Sequence, residues 1–192
     1  MPKIGILALQ GDFEAHAAVF RRLGASVRLV RLPQDLEGLD GLVLPGGEST
    51  TIGRLMVRVG LDAAIRERAA RGMAVWGTCA GMILLAQRIV SSDQPRLGLL
   101  DMEVARNAFG RQIESFEAPL EVSFDGEKAT VLGVFIRAPW VSGTGPGVEV
   151  LCTFRGKVVA VRCGRILATA FHPELTGDDT LQRQFLRMAG EG

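Results

Sequence analysis

The chain has 192 residues, 47% of them apolar and 22% charged, a balance that builds one folded domain over residues 1–192 and excludes disorder. A net charge of +1 offers no electrostatic ground for binding nucleic acid or an acidic membrane, and no apolar run reaches the about 18 residues of a membrane span. Cys79, Cys152 and Cys163 show no paired spacing, which argues against a disulfide framework and suits a reducing cytoplasm.

Ile4 to Leu9 reads as a buried strand, and Gln10-Gly11-Asp12 ends it too early for a signal segment. Phe13, Ala17, Phe20 and Leu23 recur at helical spacing, and Gly24 stops that helix. Ser26 to Leu32 alternates like a strand, and Gly41 to Leu44 is a short buried strand running into Pro45-Gly46-Gly47-Glu48-Ser49-Thr50, with Ser49 or Thr50 as a helix cap. Ile52 to Val59 and Leu61 to Arg71 look helical. Met73 to Trp76 then forms a strand that leads through Gly77-Thr78-Cys79-Ala80-Gly81 into a helix-like run from Met82 to Ile89. Strand and helix alternate through this half, which predicts an α/β fold with a mostly parallel central sheet flanked by helices on both faces. The second half predicts short strands at Leu120 to Phe124, Val131 to Ile136, Val148 to Phe154, Val158 to Val161 and Ile166 to Ala170. Some of these pair antiparallel, with Arg155-Gly156-Lys157 as a hairpin loop. A last helix runs from about Asp179 to Met188.

Cys79 lies between two glycines at a strand-turn-helix junction, the form of a nucleophile elbow. The tight turn admits no side chains on its flanks, and the helix N-terminus favours thiolate over thiol. A thiolate needs a base and a group to orient that base. Phe171-His172-Pro173-Glu174 supplies both: His172 as base, with Glu174 able to hold one ring nitrogen and leave the other toward Cys79. In a parallel sheet, ligands bind beyond the carboxyl ends of the strands. If the strands ending at Leu44, near Cys79 and before His172 are neighbours, their three loops converge. The adjacent Gly46 and Gly47 can expose backbone N–H groups that, with that of Ala80, would hold an oxyanion. That loop lacks the Lys-Ser/Thr ending of a phosphate loop. Cys152 and Cys163 sit in strand-like contexts and read as structural. His16, in the first helix, reads as a surface or interface residue. No His or Cys pair has zinc-ligand spacing, so no metal is expected.

Gly-Thr-Cys-Ala-Gly together with His-Pro-Glu resembles the triad glutaminases, the class I glutamine amidotransferases. Leu7 to Phe13, Pro45 to Thr51 and Arg106-Asn107-Ala108-Phe109-Gly110-Arg111-Gln112 are more narrowly similar to the glutaminase subunits of pyridoxal 5′-phosphate synthases. The resemblance spans nearly the whole chain. It implies that Cys79 attacks the side-chain amide of L-glutamine, that His172 moves the proton and that Glu174 orients His172. It further implies an oxyanion site at Gly47 and Ala80, completed near an interface by Gln10, and glutamine-binding positions at Gly47, Glu48, Ser49, Arg106, Ile136 and Arg137. The guanidinium groups of Arg106 and Arg137 suit the substrate carboxylate, and Glu48 could meet its ammonium group. No cofactor of its own is implied. Ammonia would pass to a synthase subunit with a (β/α)8 barrel in a hetero-oligomer, and activity would depend on docking. The glutaminase subunit of imidazole glycerol phosphate synthase, a γ-glutamyl hydrolase and a catalytically silent module on the same scaffold are the rival readings.

Overall fold

The computed structural model describes residues 1–108 and 115–191. Its first five elements follow the expected alternation: β1 (Lys3–Leu7), α1 (Phe13–Arg22), β2 (Ser26–Val30), β3 (Gly41–Leu44) and α2 (Ser49–Val59). Next come α3 (Leu61–Ala70), β4 (Ala74–Thr78) and α4 (Ala80–Leu85). Every residue of β3 and β4 is buried, as expected where helices cover both faces of a parallel sheet and the strands become continuous apolar runs.

The remaining elements are β5 (Ala86–Ile89), β6 (Leu100–Ala105), β7 (Ser115–Phe124), β8 (Glu127–Ile136), β9 (Trp140–Thr144), β10 (Glu149–Phe154), β11 (Lys157–Cys163), β12 (Ile166–Thr169) and α5 (Thr180–Gly190). The large sheet runs β2-β1-β3-β4-β12-β11-β9-β6-β5, with β10 on β11. From β2 to β12 all neighbours are parallel. The pairings β12-β11, β11-β9 and β9-β6 are antiparallel, and the edge pair β6-β5 is parallel again. β7 and β8 form a separate hairpin. It turns at Asp125-Gly126, both at positive φ, the backbone that a two-residue hairpin turn requires.

Several expectations change. The run from Met82 to Ile89 is not one helix: α4 stops at Leu85 and the chain enters β5. β6 and β9 are additional strands. β6 alternates buried and half-buried residues, the period-two pattern of a strand with one covered face. The cap of α2 is neither Ser49 nor Thr50 but Glu48, whose carboxylate accepts from the Thr50 and Thr51 amides. The hairpin between β10 and β11 turns on Arg155-Gly156, because Phe154 already pairs with Lys157.

Two aromatic clusters anchor the layers. Trp76 of β4 packs with Phe20 of α1 and Phe185 of α5. Phe135 of the hairpin stacks on Phe116 and Phe154 and leans on Phe171 at 5.6 Å. The second cluster fastens the hairpin to the residue just before His172.

Candidate active site

The sheet order places β3, β4 and β12 side by side and parallel. The Gly46-Gly47 loop, the Cys79 turn and the His172 segment therefore leave adjacent strands at the same end. Cys79 takes φ 49° and ψ −104°, a strained conformation for a residue with a side chain. The amide of Cys79 is tied to the Thr169 carbonyl of β12 at 2.8 Å, which helps hold the strained turn. The flanking glycines serve close approach rather than conformational freedom. A Cβ on Gly77 would lie 2.4 Å from the Gly81 carbonyl, and one on Gly81 would lie 2.1 Å from Leu44 O.

The site is a cleft of about 510 Å³ at this edge. Gln10, Gly47, Glu48, Ser49, Cys79, Ala80, Arg106, Ile136, Arg137 and His172 all line it. Glu174 lies behind His172 and is 6% exposed. Its Oε1 sits 2.8 Å from His172 Nδ1, so the Nε2 side of the ring is left for the sulfur. The Cys79 sulfur lies near enough to His172 to raise its pKa, and Cys79 Sγ is 3.8 Å from the Ile136 carbonyl oxygen. A Cβ on Gly46 would fall 2.4 Å from His172 Cε1, so the imidazole rests directly on that backbone. His172 and Cys79 are only 7% and 9% exposed.

Burial alone would lower the pKa of His172, but its bonds to Cys79 and Glu174 outweigh that and raise it from 6.5 to about 10. Burial pushes Glu174 upward, yet the two imidazoles of His16 and His172 beside it hold it well below the usual carboxylate range. The arrangement stabilises a protonated His172 against the ionised Glu174. At Cys152, burial and the nearby Glu121 charge push the thiol up to about 11.

Ala80 opens α4, so its amide has no intrahelical acceptor. Gln10 Oε1 accepts from the Glu48 amide at 2.8 Å, holding the glycine loop against the β1 loop. Glu48 caps α2 while facing the cleft. Its bonds to Thr51 and Thr50 outweigh partial burial and keep its pKa low. The Ser49 hydroxyl donates to Gln94 Oε1 at 3.3 Å, which directs it into the protein. Arg106 and Arg137 are exposed at the rim. The Phe109 to Gln112 part of the Arg106 segment lies outside the described residues.

Sequence reasoning passed over Gly46 as a seat for the imidazole, and Asp12 and Asn107 on the cleft wall. It also misplaced His16, which is 0% exposed. The signal was present: His16 stands three residues from Phe13 and four from Phe20, on the apolar stripe of α1.

A family model described as the SNO glutamine amidotransferase family matches residues 6–191. The chain belongs to that family. The amidotransferase is 52% identical to a pyridoxal 5′-phosphate synthase subunit PdxT of Geobacillus kaustophilus, over 98% of this chain and 95% of that one. It is 53% identical to the subunit of the same name from Thermus thermophilus, covering 97% of each. A crystal structure of a glutamine amidotransferase at 52% identity superposes with a TM-score of 0.92, over 97% of this chain and 98% of the other. Those similarities extend across both the parallel and antiparallel parts of the amidotransferase. No helix among the described residues is long and apolar enough to cross a membrane.

Proposed function

We propose that this chain is the glutaminase subunit of a pyridoxal 5′-phosphate synthase, hydrolysing L-glutamine to glutamate and ammonia. The observation that carries the chemistry is Cys79 and His172 lining one cleft, with Glu174 Oε1 2.8 Å from His172 Nδ1. The full-length similarity to subunits of that name supports the pathway.

In this reading His172 takes the thiol proton and the sulfur attacks the amide carbon. The tetrahedral oxyanion is met by the Ala80 and Gly47 amides. Collapse expels ammonia, protonated by His172, and leaves a thioester. Water, deprotonated by the same ring, then releases glutamate. Glu174 keeps Nδ1 protonated and the ring oriented throughout. Arg106 and Arg137 meet the α-carboxylate, while Glu48, Ser49 and Ile136 shape the rest of the glutamine site. Gln10 sets the glycine loop. The chain acts as one domain, in the cytoplasm, with no cofactor of its own. Its ammonia goes to a synthase subunit with a (β/α)8 barrel.

The test is ammonia release from glutamine by the purified chain, alone and with the synthase subunit, for wild type and Cys79→Ala. Activity is expected only for wild type with partner. Fast turnover by the isolated chain contradicts the dependence on docking, and activity in Cys79→Ala contradicts the mechanism.

A further inference from the structure

Behind the triad lies a second imidazole that the chemistry above does not use. His16, fully buried on α1, directs Nε2 between two oxygens: Thr78 Oγ1 at 3.1 Å and Glu174 Oε2 at 3.4 Å. Its Nδ1 has no hydrogen-bond partner among the described residues. A neutral ring has one N–H, and buried donors are paired, so these partners assign the proton to Nε2. Trp76 packs against the ring at a 76° angle, but its indole N–H goes to Thr169 Oγ1 at 3.2 Å and does not compete for Glu174.

Glu174 commits Oε1 to His172. Oε2 is buried and makes no hydrogen bond of good geometry among the described residues; the His16 N–H is the group that faces it. A carboxylate held by one oxygen turns easily, because its terminal torsion is broad. A bare, buried carboxylate oxygen is also costly. We propose that His16 is a positioning residue of the glutaminase: its single Nε2–H, shared between Thr78 Oγ1 and Glu174 Oε2, holds the ring on the first and fixes the carboxylate plane through the second. Thr78 immediately precedes the nucleophile, so one ring links the Cys79 strand to the turn that carries the acid. This deepens the glutaminase reading and rests on it.

The experiment measures kcat and KM for glutamine in the assembled enzyme for wild type, Cys79→Ala, His16→Leu and His16→Gln. Proton NMR spectra of the free chains are recorded alongside. His16→Leu is expected to lower kcat about 10- to 100-fold and to leave KM within about twofold. His16→Gln, whose amide can donate from near the Nε2 position, is expected to stay within about threefold of wild type. Full kcat in folded His16→Leu, or a Gln variant no better than Leu, overturns the proposal. Should the Leu variant fail to fold, Thr78→Val replaces it. Loss of the ring's anchor then lowers kcat with KM held, and an unchanged kcat overturns the proposal. A wild type no more active than Cys79→Ala sinks the glutaminase reading instead. In that event the downfield proton of the His172–Glu174 bond decides about His16. It should shift or vanish in the Leu variant and return in Gln, and an unshifted resonance in Leu counts against the proposal.

Discussion

The parallel and antiparallel parts of the sheet do different work. The block β2-β1-β3-β4-β12 delivers Gly47, Cys79 and His172 from the ends of three neighbouring, fully covered strands. The antiparallel part and the β7-β8 hairpin add Arg106, Ile136 and Arg137 to the same cleft, with the Ile136 carbonyl oxygen 3.8 Å from Cys79 Sγ. Reacting atoms must be held to fractions of an ångström, and buried parallel strands supply that rigidity. In the proposed reading, the guanidinium groups that meet the glutamine carboxylate, those of Arg106 and Arg137, are exposed at the rim. On that reading the parallel part makes and breaks bonds, and the antiparallel part grips the substrate carboxylate.

The largest effect should come from the parallel part. Cys79→Ala is expected to cut glutaminase turnover in the complex by about 10⁴-fold or more, while glutamine binding, measured by calorimetry, persists. Loss of binding along with turnover would blur the proposed division. On the hairpin side, Arg137→Ala is expected to raise KM about 10- to 100-fold with kcat little changed, as steady-state kinetics will show. A fall confined to kcat would place Arg137 among the reacting groups.

The triad also predicts how stability follows pH. The folded-state pKa of His172 is raised from 6.5 to about 10, so its contribution is complete below 6.5 and drains away as pH climbs toward 10. Denaturant unfolding of wild type should weaken across that window, and His172→Asn should flatten the slope. Equal slopes in the two proteins would remove the thiol–imidazole–carboxylate coupling as the cause.

Smaller effects come from packing. Gly81→Ala places a methyl group against Leu44 O and is expected to cost about 1–3 kcal/mol, read by thermal unfolding. Gly156→Ala, at φ 73° in the β10-β11 turn, should cost about 1 kcal/mol and leave turnover intact, because neither residue of that turn lines the cleft. A turnover defect there would mean that the antiparallel part reaches further into the chemistry than its geometry indicates.

The same contrast explains what was readable in the sequence. β3 and β4 are buried throughout and apolar up to Thr78, and the Cys79 and His172 loops follow their strands with little room for another assignment. Hence the elbow, the meeting of Cys79 with His172 and Glu174, and the convergence of three loops were all legible. Ala86-Gln87-Arg88-Ile89 carries no strand signal distinct from the helix before it, and its role as an edge strand is set by pairing with β6. Leu100, Met102 and Val104 do alternate, but six residues between irregular segments are easily passed over. β9 holds a glycine and follows Pro139. Its strand form comes from the neighbours β6 and β11 rather than from local preference. His16 was misplaced because a polar residue was weighed by its type instead of by the helical face it occupies.

Burying the acid has one more consequence. The sealed position of Glu174 keeps dissolved ions from the space between it and His172. The attraction within that pair is therefore governed by the fold, and added salt should hardly reach it, unlike the exposed guanidinium groups at the rim, which every counterion can visit.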